Sequence, residues 1–142
     1  MVHTSNYGKK WTNIVEGKGL EGYALSFVQD LVEPNLMFVG TEFGLYFTID
    51  GGDSWTRWTN GYPTVSTYDM VIHPREHDLV IGTFGRSFWV LDDIRPLREL
   101  AAEGLDELDK AIKAFDSPDA YLANWRQAMG SRFAADAMYS GD

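Results

Sequence analysis

Residues 48–55 read Thr-Ile-Asp-Gly-Gly-Asp-Ser-Trp, and they decide the fold because a weaker copy stands 44 residues earlier in the chain. The earlier copy, residues 4–11, reads Thr-Ser-Asn-Tyr-Gly-Lys-Lys-Trp and keeps the threonine, one glycine and the tryptophan at the same spacing. A spacing of about 40–45 residues is the length of one four-stranded repeat unit. The sequence therefore predicts a protein built from repeated small sheets.

The well-formed copy has the chemistry of a tight turn between two antiparallel strands. The adjacent glycines can adopt positive φ at little steric cost, and the aspartate can accept hydrogen bonds from backbone N–H groups of the turn. Short hydroxyls flank the turn, and the tryptophan anchors the next strand. We therefore predict a structural turn made by Thr48, Asp50, Gly51, Gly52, Ser54 and Trp55, and a degenerate version made by Thr4, Asn6, Gly8 and Trp11.

A second pair of related segments supports the repeat. Residues 34–44 and 74–85 each contain a proline, an apolar run and a Gly-Thr pair, with Gly40 and Gly82 standing 42 residues apart. Each segment predicts a proline turn, a strand, a Gly-Thr turn and a second strand. The strands are predicted at residues 24–31, 36–40, 45–48 and 54–58 of one unit, and at residues 65–72, 78–82 and 86–91 of the next.

The tight-turn motif resembles the Asp-box, or bacterial neuraminidase repeat, family, whose pattern is Ser/Thr-x-Asp-x-Gly-x-Ser/Thr-Trp. Residues 48–55 match every fixed position, whereas residues 4–11 depart from the pattern at Asn6 and Lys10. The resemblance implies a mostly β fold with about two four-stranded antiparallel blades of an incomplete β-propeller, followed by a short α-helical C-terminal segment. The expected parts are the end of a blade at 1–16, a complete blade at 23–60, a further blade at 64–96 and a helical or irregular tail at 97–142.

The resemblance also sets expectations about function and location. The family contains sialidases, endoglucanase-like glycoside hydrolases and the sortilin-type receptor propellers, and its turn motif is a structural feature remote from the active site. No residue of the turn is therefore expected to be catalytic. Relatives are mostly exported, so the parent protein is expected to be secreted or periplasmic, although residues 1–10 show no signal peptide.

A closed propeller needs at least four blades, which is more than this sequence offers. The expected partners are therefore further propeller blades, supplied either by a longer parent chain or by other copies of this chain.

Composition and charge argue against several other classes of binding partner. The formal net charge of −9 argues against nucleic acid or an anionic membrane, because both attract basic surfaces. The sequence has no cysteine and no apolar run long enough for membrane insertion. His73 and His77 flank Pro74, which prevents the helix that would align a histidine pair, so we predict no metal site and no cofactor.

The tail has a different pattern from the repeats. Apolar residues recur at helical spacing from Leu97 to Phe115, and Ser117-Pro118 has the signature of a second helix that continues to about Met129. Residues 131–142 show no clear period, so they are expected to be loosely ordered unless docked.

The sequence nominates no catalytic group. The adjacent carboxylates Asp92 and Asp93 would point to opposite faces of a strand and are poorly placed to share one sugar, so they are read as a degenerate turn or a helix-leading acid. The Gly-Thr turns and the link between the two units must lie at one end of the sheets. The residues expected to line or rim that end are Glu42, Phe43, Tyr62, Phe84 and Arg86. The alternative role of the two phenylalanines is packing between units.

Three functions remain open at this point. The leading hypothesis is a non-catalytic Asp-box propeller fragment that acts as a scaffold or as a carbohydrate- or peptide-binding module. The alternative is a portion of a sialidase- or endoglucanase-like glycoside hydrolase whose catalytic residues lie outside the chain. A sortilin-like peptide-binding propeller is the second alternative.

Overall fold

The described residues of the protein are mostly β, with one short helix. The computed structural model describes residues 1–104, 106 and 112–117, together with the backbone of two short strands at 126–127 and 137–138. The strands are β1 (Val2–His3), β2 (Thr12–Asn13), β3 (Ala24–Gln29), β4 (Met37–Thr41), β5 (Gly44–Thr48), β6 (Thr56–Arg57), β7 (Thr67–Ile72), β8 (Leu79–Thr83), β9 (Phe88–Leu91), β10 (Arg126–Gln127) and β11 (Ala137–Met138), and the helix α1 is Arg95–Glu103. These elements confirm the prediction of a mostly β fold.

The sheets of the described residues are antiparallel, and three of them follow the predicted units. Strands β1 and β2 form a hairpin, β3-β4-β5-β6 form a four-stranded sheet in sequence order, and β7-β8-β9 form a three-stranded sheet. The remaining pair is β10 with β11. Within each sheet, every strand pairs with the next strand in the chain, and short connections of this kind join antiparallel strands.

The four-stranded and three-stranded sheets share one register. Val28 pairs with Phe38 and Phe38 with Phe47, and the corresponding row in the second sheet is Val71, Val80 and Val90. The first strand of each sheet carries an irregularity at the same place, between Ala24 and Ser26 and between Thr67 and Asp69. A bulge at a matching position is strong evidence that the two sheets repeat one another.

The core lies between these two sheets. One face of the four-stranded sheet, including Phe38 and Leu45, packs against Met70, Leu79 and Ile81 of the three-stranded sheet. The opposite face of the four-stranded sheet contributes Met37, Val39, Tyr46 and Trp55 to a second cluster, which packs against Ile14, Val15 and Leu20. The four-stranded sheet is therefore apolar on both faces, as a layer between two neighbours must be.

Helix α1 follows β9 in the chain, at the point where the first unit continues to its fourth strand. Up to that point the two units follow the same path, because the Gly51 N–H donates to Asn35 O at 3.1 Å and the Ile94 N–H donates to His77 O at 2.8 Å. The glycine pair is absent after β9, and Pro96 occupies the first helical turn, where its missing N–H costs nothing. The second unit therefore ends in a helix.

The helix is shorter than the apolar spacing predicts. It ends at Glu103, and Gly104 follows with φ of +96° while donating its N–H to Leu100 O at 2.9 Å. Glycine takes that conformation at little cost, so it stops the helix. Residues 112–117 are not helical, and the prediction of a helix as far as Phe115 is wrong there.

The prediction of a second helix as far as Met129 is also wrong at residues 126 and 127, which form a strand. Most of that segment lies outside the described residues, but Arg126–Gln127 pair antiparallel with Ala137–Met138. The tail from residue 131, expected to be loosely ordered unless docked, is described only at Ala137–Met138 of β11, and the rest of it lies outside the described residues. Pairing between separate segments overrides local helix propensity, and a local pattern does not report it.

Candidate functional site

The turn at residues 48–55 is built around the carboxylate of Asp50. Its Oδ1 accepts hydrogen bonds from the backbone N–H groups of Asp53 and Ser54, both at 2.9 Å, and from Thr48 Oγ1 at 2.6 Å. Its Oδ2 accepts from Ser54 Oγ at 2.5 Å. The Thr48 hydroxyl also accepts from the Gly52 N–H at 3.1 Å. Both carboxylate oxygens are thus engaged within the turn.

The pKa of Asp50 follows from these contacts. Burial alone would raise the pKa of this carboxyl, but hydrogen bonds from Ser54, Thr48 and the backbone outweigh burial and lower it. The group is therefore held as a carboxylate acceptor, and it is a poor candidate for a general acid.

The turn at residues 4–11 repeats this hydrogen-bond pattern. The Lys10 N–H donates to Asn6 Oδ1 at 2.8 Å and the Gly8 N–H to Thr4 Oγ1 at 3.0 Å, at the positions of Ser54 and Gly52. Tyr7 takes φ of +56°, in place of Gly51 at +72°. An asparagine oxygen thus serves where the other turn has a carboxylate, and strands β1 and β2 pair in the register of β5 and β6.

The two tryptophans that close these turns differ in their surroundings. Trp55 is 5% exposed and donates its indole N–H to Ile14 O at 2.5 Å, which ties the four-stranded sheet to the N-terminal hairpin. Trp11 is 58% exposed. The segment that contains Ile14, Val15 and Leu20 covers the cluster of Trp55, so the same residue type at the same place in the repeat is buried in one turn and exposed in the other.

The Gly-Thr turns and the link between units meet at one end of the sheets, as predicted. Ser66, in the link, donates its hydroxyl to Glu42 O at 3.2 Å and accepts the Phe84 N–H on its own carbonyl at 2.9 Å. Arg57 supports the same end by donating to Phe43 O at 2.6 Å and to Thr64 Oγ1 at 2.8 Å. We call residues 42–43, 63–66 and 84–86 the loop end.

Aromatic rings stand exposed at or beside the loop end. Phe43 and Phe84 are exposed, and the Phe84 ring lies 5.8 Å from the ring of Tyr68, tilted by 39°. Sequence reasoning did not place Tyr68 here, although its position two residues from Ser66 on β7 is the signal that could have done so. Glu42 is partly buried and Arg86 is exposed.

Tyr62 belongs to the core and adds no surface to the loop end. It is buried, its hydroxyl shares a 2.7 Å hydrogen bond with Thr67 Oγ1, and its ring meets Trp89 edge-on at 5.7 Å. Burial raises the pKa of Tyr62 more than the Thr67 hydrogen bond lowers it.

A buried ion pair that the sequence pattern did not reveal fixes the helix to both sheets. Asp30 follows β3 and is 2% exposed, and Arg98 on α1 donates to both of its carboxylate oxygens. Arg98 also lies 2.9 Å from His77 Nδ1. Since these partners are 68 residues apart in the chain, no local motif indicates the pair.

The remaining polar candidates also have structural partners. His73 Nδ1 accepts the Glu76 N–H at 3.0 Å, and Asp93 pairs with Arg95 at 2.7 Å. Arg95 and Arg98 line a cleft of 540 Å³ beside α1. Among the described residues there is no group of three or more histidine, aspartate and glutamate side chains that could hold a metal ion, and no helix has the length and apolarity to cross a membrane.

Comparison with known proteins gave no matching family model, no matching curated protein and no matching solved structure. The likeness to the Asp-box pattern therefore rests on residues 48–55 themselves.

Proposed function

We propose that the chain is a run of consecutive blades from an Asp-box β-propeller, and that it acts as a non-catalytic scaffold that binds a carbohydrate or an extended peptide at its loop end. The repeated turn, 44 residues apart, and the shared register of the two larger sheets support the repeat architecture. A repeat unit of this length with four antiparallel strands suits a propeller blade.

The observation that carries the binding role is the group of exposed aromatic rings at the loop end and on the adjoining start of β7. Phe43, Tyr68 and Phe84 keep substantial exposure, and the backbone beneath them is held by the hydrogen bonds through Ser66. Aromatic faces stack on the apolar faces of sugar rings and on extended peptide side chains. A surface that is already ordered loses little entropy on binding.

The polar groups favour binding over catalysis. Most glycoside hydrolases use two carboxyl groups that face one another across a sugar, whereas sialidases use a tyrosine nucleophile together with an acid. Asp50 is occupied within its turn and Asp93 is paired with Arg95. Glu42 is the acid of the loop end, so it is the residue to which any hydrolytic activity of this surface would be traced.

A binding titration tests the proposal. The purified chain would be titrated with neutral oligosaccharides, sialylated oligosaccharides and an unstructured peptide, by calorimetry and NMR. We expect saturable binding to one of these classes that weakens at least tenfold in Phe84→Ala, while Trp11→Ala, which removes an exposed aromatic ring at the opposite end, leaves the affinity unchanged. Absence of binding to all three probes, or equal losses in the two variants, would overturn the binding role.

A separate assay addresses the glycoside hydrolase alternative. The chain is expected to give no turnover of fluorogenic glycosides. A rate that disappears in Glu42→Gln would replace the binding proposal with a hydrolytic one.

A further inference from the structure

The link between the two larger sheets contains an Asn-Gly pair, Asn60 and Gly61. Both residues are exposed. Gly61 takes φ of +67°, and a Cβ built on it would meet no atom within 4 Å beyond its chain neighbours. Because glycine also has no side chain of its own, its backbone nitrogen is open to approach.

Neither of the groups that could react here is held by a hydrogen bond. Within the described part of the chain, no group accepts a hydrogen bond from the Gly61 N–H, and the side-chain amide of Asn60 has no partner. An exposed N–H without an acceptor exchanges its proton freely with solvent. The Asn60 side chain is likewise free to turn toward that nitrogen.

The backbone carbonyl between these two groups does have a partner. Trp58 donates its indole N–H to Asn60 O at 2.8 Å, and the indole ring packs edge-on against Phe47 at 5.5 Å. When the Gly61 nitrogen loses its proton, the peptide bond shares the negative charge with Asn60 O. A donor aimed at an oxygen on which charge develops stabilises that charge. The indole therefore favours the deprotonated, nucleophilic form of the Gly61 nitrogen.

A second pair of similar chemistry, Asp50 and Gly51, is protected by its contacts. The Gly51 N–H donates to Asn35 O at 3.1 Å, and hydrogen bonds engage both carboxylate oxygens of Asp50. These hydrogen bonds also lower the pKa of Asp50, so the group stays ionised, and a carboxylate resists attack by a nucleophile. The structure thus protects one pair and leaves the other open.

We propose that Asn60 and Gly61 form a self-modification site, at which the folded chain converts the asparagine to aspartate and isoaspartate. The Gly61 nitrogen gives its proton to hydroxide and attacks Cγ of Asn60. The new N–Cγ bond closes a succinimide ring, and the bond from Cγ to Nδ2 breaks, so that Nδ2 takes a proton from water and leaves as ammonia.

Water then opens the ring by adding to one of its carbonyl carbons, and the bond from that carbon to the Gly61 nitrogen breaks as the nitrogen regains a proton. Attack at Cγ gives aspartate. Attack at the backbone carbonyl gives isoaspartate, in which the chain runs through Cγ. The net reaction consumes one water and releases one ammonia, and it needs no oxidant or reductant.

The products change the link between the sheets in two ways. Each adds a negative charge to a chain whose formal net charge is −9. Isoaspartate also adds a methylene group to the backbone two residues before Tyr62, whose hydroxyl shares a 2.7 Å hydrogen bond with Thr67 Oγ1 in the core. The longer backbone must therefore bulge outward or displace Tyr62. The site is independent of whatever ligand the loop end binds.

Peptide mapping by mass spectrometry, after incubation of the folded chain at mildly alkaline pH, tests the site. Trypsin releases residues 58–75, in which Asn60 is the only asparagine. We expect this peptide to gain the mass of deamidation and to separate into aspartyl and isoaspartyl forms. Peptide 19–57, which carries Asn35 and the Asp50-Gly51 pair, should stay unmodified. An unmodified peptide 58–75, or equal modification of the two peptides, would overturn the proposal.

Two tryptophan variants test the role of the indole. Trp58→Phe removes the N–H and keeps an aromatic ring beside Phe47, and it should slow the folded chain roughly threefold to tenfold, the factor that one hydrogen bond contributes. Trp89→Phe removes an indole that donates to Arg86 O at 3.1 Å, and it should react like the unmodified chain. In urea all three chains should react equally fast. Equal rates of the folded chains, or a difference that persists in urea, would contradict activation by Trp58.

A comparison of melting temperatures tests the effect on the link. The isoaspartyl form, separated by ion exchange, should melt at a lower temperature than Asn60→Asp, which has the same charge and an ordinary backbone. Equal melting temperatures would contradict the displaced link.

Discussion

Arg98 donates two hydrogen bonds to the carboxylate of Asp30, from Nε to Oδ2 at 2.7 Å and from Nη2 to Oδ1 at 2.8 Å. Asp30 also accepts the Glu33 N–H at 2.9 Å, so the turn after β3 and helix α1 share one buried charge centre. The helix follows the second sheet in the chain and is not part of any sheet, so strand pairing does not hold it in place. The ion pair and the apolar contacts of α1 hold it instead.

Arg98→Met is expected to lower the free energy of unfolding by about 3–5 kcal/mol, because removal of one partner leaves a buried carboxylate without its counter-charge. The Asp30 side chain is 1% exposed and that of Arg98 11%. Urea denaturation followed by circular dichroism measures the change. Arg75→Met is the matched control, since Arg75 pairs with Glu76 at the surface, and it should leave stability nearly unchanged. Equal losses of stability in the two variants would contradict the structural role that we assign to the buried ion pair.

Stability is expected to fall on acidification, partly through Asp30. Burial alone would raise the pKa of Asp30, but hydrogen bonds from Arg98 and from the Glu33 backbone N–H lower it on balance. A carboxyl with a lower pKa in the folded state contributes stability above its unfolded pKa of about 3.9, and that contribution is lost as the pH falls through the folded value.

Urea titrations at several pH values between about 6 and 2 measure this dependence. Asp30→Asn should be less stable at neutral pH and should lose less stability on acidification than the unmodified chain. Asp92→Asn, which removes an exposed carboxylate, should retain the full dependence. An unchanged acid dependence in Asp30→Asn would contradict the lowered pKa.

The sequence predicted the parts of the fold that depend on local chemistry. The glycines and hydroxyls of residues 48–55 determine the turn, and the alternation around Gly40 and Gly82 determines the strands, so both larger sheets lie within a few residues of their predicted positions. The helix end was missed because Gly104, which stops it, stands within a run of apolar residues at helical spacing. The spacing of apolar residues alone does not show that a single glycine within such a run ends the helix.

The candidate site was predictable only in outline. The turn geometry placed Phe43 and Phe84 at one end of the sheets, but the sequence could not show that Tyr62 turns inward to Thr67 while Tyr68 stacks near Phe84. Two tyrosines six residues apart have the same local signal, and tertiary packing decides which one is buried. The Asp30–Arg98 pair was missed for the same reason, since it depends on where the helix docks.

Asp50→Ala is expected to lower the free energy of unfolding by about 1–3 kcal/mol, because it removes the acceptor of two backbone N–H groups and two hydroxyls. Asn6→Ala removes the corresponding acceptor from the turn of the N-terminal hairpin and should cost less, since the Asn6 side chain accepts from one backbone N–H and one hydroxyl. Thermal melts of both variants make the comparison. A larger loss in Asn6→Ala would contradict the central role of the Asp50 carboxylate.

Gly40→Ala and Gly82→Ala form a matched pair at equivalent positions of the two larger sheets. In Gly40→Ala the new Cβ would meet the Thr67 carbonyl oxygen at 2.5 Å and Ser26 Oγ at 2.2 Å, so the sheets must separate or the Ser26 to Thr67 hydrogen bond must break. We expect a loss of about 1–3 kcal/mol, the usual cost of overpacking a close contact. In dilute solution Gly82→Ala should be neutral or stabilising by up to about 1 kcal/mol, because alanine loses less backbone entropy in a strand. Urea denaturation of both variants measures the two effects, and a destabilised Gly82→Ala would mean that the second sheet is crowded where the structure shows it open.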